Sequence, residues 1–541
     1  MGLIKTFDYK EDELDKIKNY EYGLNWPVVY IIRNDKEAYV GESTRVYNRS
    51  IQHRKNTERT KLDTIDIIAD TDFNKSATLN IESLLIEYMS ADAKYKLQNG
   101  NGGLSNHSYY KKDFYNEKFD KIWDELKEKN IVTRGLFEIR NSDLFKYSPY
   151  KALTAEQSLV ADDIISSIIH NTQSKHMIQG EPGTGKTIVA IYLLKYLKEL
   201  KKTKHLKIGL VVPMTSLRST LSNVFKSVKN LKSNMVLSPS DATKNDYDIL
   251  IVDEAHRLNR RVNITAMGAF DNTNRKLGLD INEGTQLDWI NMSCKHMILC
   301  YDKNQSIKPS DVRAEDFEKI KFEMHKITSQ MRVLGGGDYI NYIQNILRQT
   351  QEEKLTFNNY ELLLFDNISE MHEMIKLKNE KLGLCRLIAG YAWDWKSKKD
   401  KNAYDITIQD TNLQWNSTNK DWINTPNAIN EVGCIHTTQG YDLNYTGIII
   451  GHEISYKDDQ LIVNKSKYFD TTGKNSIKVE SELHNYIINI YKTILTRGIK
   501  GTYIYICDEN LRNYFKQFID TYISDVQAKE ILDSLKEIEY K

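Results

Sequence analysis

Paired cysteines are absent from this sequence. Its five cysteines, Cys294, Cys300, Cys385, Cys434 and Cys507, form no C-x-x-C unit, which excludes a zinc ribbon and a disulfide framework and points to a reducing compartment. A dominant charge is missing too: 75 Lys and Arg stand against 74 Asp and Glu, so the chain carries no uniform basic coat and any nucleic-acid binding must use local patches. No apolar run approaches the ~20 residues of a membrane span. Met1-Gly2-Leu3-Ile4-Lys5 leads directly into charged residues, so a cytoplasmic chain with no membrane partner is expected. What is there is a composition 40% hydrophobic over 541 residues, enough for real cores. That length suits about three or four domains.

The densest chemical signal is Gly180-Glu181-Pro182-Gly183-Thr184-Gly185-Lys186-Thr187, which satisfies G-x-x-x-x-G-K-[ST]. Residues Lys175 to Gln179 before it are short and largely apolar, like a buried strand, and Ile188 to Leu197 after it repeat apolar residues at helical spacing. In that context Gly180, Gly183 and Gly185 let backbone N–H groups and a helix N-terminus face a triphosphate. Lys186 then reaches the outer phosphates and Thr187 holds magnesium. ATP and Mg²⁺ are the expected cofactors.

Ahead of this loop, a polar lead over 1–25 gives way to Val28–Ile32 and Ala38–Gly41, which read as a hairpin turning at Asn34-Asp35. Thr44 can cap a helix to about Asn56 on which Arg49 and His53 lie four apart, hence on one face. A second helix, Ser76 to Met89, carries Glu82. The segment closes on the Gly/Asn cluster Gln98-Asn99-Gly100-Asn101-Gly102-Gly103, a loop. Over roughly 26–105 this order resembles the GIY-YIG nucleases. Tyr39-Val40-Gly41 matches the second tripeptide, Arg49 follows at the family's distance, and the first tripeptide is degenerate, with Val28-Val29 before Tyr30.

The resemblance implies metal-dependent phosphodiester hydrolysis. Tyr30 and Tyr39 would orient and deprotonate water, Arg49 would stabilise the phosphorane with His53 on its face, and Glu82 would carry the single divalent metal. Glu87 is the competing carboxylate. Between 45 and 61, Arg45, Arg49, Arg54, Lys55, Arg59 and Lys61 face only Glu58, a local excess suited to a phosphate backbone. Residues 106–150 read as a connector with two aromatic clusters, Tyr109-Tyr110 and Phe145-Lys146-Tyr147, and no recognisable chemistry.

From Leu153 onward the chain resembles superfamily 1 helicases, in their compact, Schlafen-like branch. Gln157, in Leu153-Thr154-Ala155-Glu156-Gln157, looks like the adenine-reading glutamine. Asp248 to His256 is an apolar strand ending in paired carboxylates, of which Asp253 would hold the metal's shell and Glu254 would be the base. Gln305 resembles the γ-phosphate sensor, and Gln330-Met331-Arg332 the arginine motif opening a second lobe. Ile435 to Asp442, with Gly440, looks like motif V, and Thr493 to Gly498, with Arg497, like motif VI. Asp442 stands where many relatives have Glu, and there is no room for large inserted domains.

The expected fold class is α/β multidomain: a small α/β GIY-YIG domain at 26–105, a connector at 106–150, then two tandem RecA-like, doubly wound parallel-sheet lobes at 151–328 and 329–541. The expected function is an ATP-dependent nucleic-acid motor tethered to a metal-dependent endonuclease, with defence against foreign DNA as a role by analogy. Metal ligands would be Glu82, Thr187 and Asp253. DNA is favoured over RNA as partner, and a homo-oligomer or an operon-encoded partner is a further option. The alternatives are an ATP-gated switch that controls the nuclease without unwinding, since a wedge domain is missing, and an RNA- or tRNA-directed nuclease.

Overall fold

The structure is a computed structural model that describes residues 2–99, 109–264, 266–419, 421–438, 440–474, 477 and 479–524. Gly100 to Gly103 of the expected Gly/Asn loop, and Gln439, lie outside them. Three main sheets follow one another along the chain.

The first is five-stranded, in the order β1-β4-β2-β3-β5, from Ile4–Asp8 (β1), Val28–Arg33 (β2), Glu37–Ser43 (β3), Thr64–Ile68 (β4) and Lys96–Leu97 (β5). β2 is central, and its run of Val and Ile is buried on both faces, as a middle strand requires. The β2–β3 hairpin turns on Asn34, whose Oδ1 accepts from the N–H groups of Lys36 and Glu37 at 2.8 and 2.7 Å, an Asx turn. Helix Val46–Arg54 follows β3, and helix Lys75–Asp92 is capped by Asn74, which accepts from Ala77 N–H. β1 departs from the polar lead expected over 1–25: it pairs antiparallel with β4. Its five residues bury only Ile4, too little alternation to announce a strand, and the strand is held at its start by Glu125, which accepts from Leu3 and Ile4 N–H.

The second sheet is six-stranded and wholly parallel, in the order β11-β6-β10-β9-β7-β8: Ser174–Gly180 (β6), Ile208–Val211 (β7), Val236–Leu237 (β8), Tyr247–Val252 (β9), Cys294–Tyr301 (β10) and Glu323–Ile327 (β11). The third runs β12-β20-β17-β13-β16-β15-β14, from Glu361–Phe365 (β12), Cys385–Ala389 (β13), Ile406–Ile408 (β14), Thr411–Trp415 (β15), Glu431–Gly433 (β16), Leu443–Ile450 (β17) and Gly498–Ile506 (β20), parallel except for the β14–β15 edge hairpin. A separate hairpin, Ile454–Lys457 (β18) with Gln460–Val463 (β19), lies between β17 and β20 in sequence. These are two RecA-like, parallel-sheet lobes, each with helices covering continuous apolar strands.

The connector is no tether. Helix Lys112–Glu128 buries Tyr115, Phe119, Ile122, Trp123 and Leu126 at helical spacing. Through them one apolar cluster runs unbroken from Val29 and Ile81 of the first domain to Ile164, Val189 and Ile298 of the second sheet's lobe. Among the described residues no helix is long and apolar enough to cross a membrane.

Candidate functional site

The phosphate loop sits at the carboxyl end of β6, where parallel sheets open to ligands. Gly183 and Gly185 have φ of 85° and 82°, and a Cβ on either would also strike a neighbour: 2.1 Å from Gln330 Oε1 at Gly183, 2.5 Å from Gln157 Nε2 at Gly185. Lys186, first residue of helix Lys186–Glu199, folds back across the loop and donates from Nζ to the carbonyls of Gly180 and Glu181 at 2.6 and 3.0 Å. Gln157 forms a capping box with Thr154 and donates its amide to Thr184 O at 2.9 Å, so its side chain braces the loop.

Thr187 Oγ1 donates to Asp253 Oδ2 at 2.9 Å, just past the end of β9. Glu254 follows in a left-handed conformation, φ 51°, a strained state for a residue with a side chain, and its Oε2 lies 2.8 Å from His256 Nε2. Burial, then the Glu254 charge, pushes the Asp253 carboxyl up; Glu254, although buried, is held ionised by His256 and Lys186. Two buried carboxylates side by side must share a proton or a cation. Thr187 and Asp253 are the all-oxygen donor set that suits Mg²⁺. Gln305 is buried at the same end of the sheet and donates to Asp302 Oδ2 at 2.8 Å.

The opposite wall of a cleft of about 170 Å³ comes from the third sheet's lobe. Gln330 Nε2 donates to Pro182 O at 2.7 Å and Met331 N–H to Gly183 O at 2.9 Å, which zips the arginine segment onto the phosphate loop. Arg332 ion-pairs with Asp442. Arg497 is fully buried; its one side-chain hydrogen bond among the described residues is from Nη1 to Tyr441 O at 3.3 Å, and its Nε has no partner. Burial and the nearby Arg332 bring its pKa down to about 10, so it stays charged at neutral pH. Gly440, at φ 90°, completes this wall.

Sequence reasoning missed a third contributor. Lys146, Tyr147 and Lys151, from the connector and the start of the lobe after it, line the same cleft. Lys146 Nζ donates to Asp442 O at 2.5 Å and Tyr147 hydroxyl to Gly440 O. Burial lowers Lys146 to about 8. The aromatic cluster at 145–147 was the only sequence sign of them.

In the first domain, Tyr30, Tyr39, Arg49, His53 and Glu82 come together. Tyr30 hydroxyl lies 2.8 Å from His53 Nε2, and the Tyr39 ring meets His53 edge-on with centroids 4.9 Å apart. Arg59 contacts His53 Nδ1 and stacks over Tyr39 at 3.7 Å. Because a guanidinium only donates, His53 Nδ1 accepts and Nε2 carries the proton toward Tyr30. Burial, Arg59 and Arg49 hold His53 down to about 3, a neutral imidazole. Burial also pushes the Tyr30 phenol far up, so this hydroxyl stays protonated at neutral pH. Gly41 leaves room for that hydroxyl: a Cβ there would lie 2.4 Å from Tyr30 Oη. Asn99 pins the tripeptide's middle, accepting from Val40 N–H at 3.0 Å and donating to Val40 O at 2.8 Å.

Burial, then the neighbouring Glu42 carboxylate, raises Glu82 to about 7, against Lys75 and Arg49. Glu42 and Lys75 are members of this cluster that sequence reasoning left out, and Arg59, read only as part of the basic patch, belongs to it as well; Glu42 follows Gly41 directly. Glu87 is on the other side of the same helix, in a cavity with Lys151 and Met331, apart from Arg49. Of the basic residues over 45–61, Arg54 and Arg59 are spent on internal contacts, leaving Arg45, Arg49, Lys55 and Lys61 exposed.

Two parallel-sheet lobes that meet over a phosphate loop, with arginines reaching it from the far side, define a superfamily 1 helicase-type ATPase domain. The chain belongs to the Schlafen group 3 DNA/RNA helicase domain family, whose model matches residues 174–508. It is 26% identical over 424 residues to an uncharacterized protein of Saccharomyces cerevisiae, covering 66% of this chain and 89% of that one. Among solved structures it is similar to a Pif1 helicase from Bacteroides in complex with ADP-AlF3 and ssDNA (12% identity, 71% of this chain and 97% of that chain, TM-score 0.29). It is also similar to an arterivirus nonstructural protein 10 helicase in complex with DNA (11%, 65% of each chain, TM-score 0.31).

Proposed function

We propose that the chain is an ATP-driven nucleic-acid motor, set in the cytoplasm, whose first domain is a metal-dependent endonuclease of the GIY-YIG type. The observation that carries the nuclease half is the convergence of Tyr30, Tyr39, Arg49, His53 and Glu82, from two strands and two helices, on one half-buried cluster. A single-stranded path is supported by a second cleft of about 470 Å³, lined by Asn259, Phe270, Trp289, Lys308 and Ser310 from one lobe and His436 from the other. Phe270 and Trp289 are buried beneath this cleft, and Lys308, which burial lowers to about 8, gives it a cation for phosphates; as the nucleic acid bound we favour DNA over RNA.

In the motor, Lys186 leaves the carbonyls of Gly180 and Glu181 for the outer phosphates, ionised Glu254 accepts the proton of the attacking water, and Arg332 and Arg497 offset charge developing across the cleft. Thr187 and Asp253 would hold Mg²⁺ there, and Glu82 in the nuclease; bound, the ion neutralises phosphate oxygens. In the nuclease, Tyr30 and Tyr39 orient water and Arg49 faces the scissile phosphate.

Glu82→Ala should remove divalent-dependent cleavage of single-stranded, duplex and forked DNA while DNA-stimulated ATP hydrolysis continues. Cleavage that survives in this variant would sink the nuclease assignment. The pH dependence has a fixed sign. A carboxyl raised to about 7 is protonated below that value and must lose its proton to ligate a cation. Affinity for Mn²⁺ at this site should therefore fall about tenfold per unit as pH drops below 7, and level off above it. The calorimetric difference between the wild type and Glu82→Ala isolates this site.

One observation favours an ATP-gated switch as the mode of control. The Glu82 helix presents Tyr88 to the connector, with its ring 4.6 Å from Phe145 and its hydroxyl accepting from Arg140 at 3.0 Å, and the next connector residues bind Gly440 and Asp442 in the motor cleft. An unwinding assay beside the cleavage assay separates a switch from a translocating motor.

A further inference from the structure

A histidine cluster lies on the first parallel sheet, outside both sites above. His176 on β6 and Glu323 and His325 on the edge strand β11 are 147 residues or more apart in sequence, but strand register sets Glu323 opposite His176 and the two-residue period puts His325 on the same face. His176 Nδ1 is 3.1 Å from His325 Nε2 and 3.4 Å from Glu323 Oε2, and the three ligand atoms all lie within 4.8 Å of one another. Tetrahedral ligation with ~2.0–2.1 Å bonds demands ligand atoms about 3.3 Å apart, and the separations of 3.1 and 3.4 Å bracket that value.

The surroundings match a metal ligand's support. His176 is fully buried, and its other ring nitrogen, Nε2, is 3.1 Å from Ser174 Oγ, itself 2.9 Å from His296 Nδ1. With Nε2–H donating to Ser174 and the serine hydroxyl donating onward to His296, the Nδ1 lone pair of His176 points at His325 and Glu323. A ring nitrogen held through its partner nitrogen by an oxygen is the usual arrangement behind a ligating histidine. Burial keeps His176 neutral, down to about 4, and lowers His325, so both imidazoles are in the ligating form. The Asp163 carboxylate, on the helix over this face, is near enough to act on both rings. Glu323 remains largely exposed and gives a cation a route in.

We propose that His176, His325 and Glu323 bind a divalent transition metal of the zinc class, with Asp163 or water as the fourth ligand. Imidazole and carboxylate without thiolate suit Zn²⁺ over the hard cations of the two phosphate-handling sites. The ion would tie edge strand β11 to β6. β11 runs into Thr328 and Ser329, whose N–H groups donate to Glu156, and then into Gln330 on the phosphate loop, so this ion would steady the start of the arginine segment. The competing arrangement is a plain hydrogen bond between the two imidazoles.

The test uses the full chain stripped with a chelator and titrated with Zn²⁺ against a chromophoric chelator. The wild type should hold one equivalent that His325→Gln loses and that Glu323→Gln, a substitution at an exposed side chain, binds at least about tenfold more weakly. The same equivalent should persist in a Glu82→Ala, Asp253→Asn double variant, which separates it from the magnesium positions. Zn²⁺ should raise the unfolding midpoint of the wild type and leave that of His325→Gln unchanged. Equal zinc binding by the wild type and His325→Gln, or no equivalent held by the wild type in competition with the chelator, overturns the site.

Discussion

Lys186→Ala should lower ATP turnover by at least about 100-fold, the loss typical of removing one preorganised donor from a developing charge. The lysine's Nζ is already suspended over the loop by two carbonyls, so it needs only to exchange neutral acceptors for phosphate oxygens. Other cations lining the cleft are held elsewhere: Lys146 donates to Asp442 O, Arg332 pairs with Asp442, and Arg497 donates to Tyr441 O. Lys186 is buried but polar, and its removal takes nothing from the apolar core, so the fold should persist by circular dichroism. Wild-type turnover in the folded variant would refute the phosphate-loop role.

Arg497→Ala should reduce kcat by about 1,000-fold with a smaller change in KM, as expected of a cation that acts mainly in the transition state. Arg497 is buried within reach of Arg332, makes one long side-chain hydrogen bond, and keeps an unpartnered Nε; an anionic oxygen brought into the cleft supplies the acceptor it lacks. Arg497→Lys should recover little, because a lysine cannot reproduce the planar fork. Steady-state kinetics across ATP concentrations reads both values, and an unchanged kcat would return Arg497 to a packing role.

What was legible in the chain was local chemistry. The phosphate loop is visible because glycine spacing, a preceding apolar run and a following helical pattern lie within about 25 residues. That Arg49 and His53 share one helix face follows from helical spacing, and the Tyr30–Gly41 opposition from a hairpin whose turn is visible at Asn34. What stayed hidden depends on register or on distant packing. β1 has one buried residue and gains its place from β4 and Glu125. Glu42 matters through Glu82, forty residues on. His176 meets His325 only because β11 is placed beside β6, which no pattern in either strand announces. The connector read as inert because its chemistry is a lysine and a tyrosine donating to main-chain carbonyls, and such acceptors leave no trace in sequence.

The connector's grip on both lobes bears on how the protein can be divided. Besides Lys146 and Tyr147, Asn141 donates to Leu382 O at 2.9 Å and accepts from Asn444 at 3.0 Å, so these few residues hold the far lobe while their apolar neighbours belong to the near one. A shortened protein starting at residue 151, ahead of the family match at 174, would keep every helicase motif yet lose part of the nucleotide cleft's wall and uncover the Gly440 carbonyl. Its ATP kinetics would describe a damaged machine. The smallest honest motor starts upstream of the connector helix, near residue 109, and severing the first domain there still exposes the Tyr88-facing surface of Phe145.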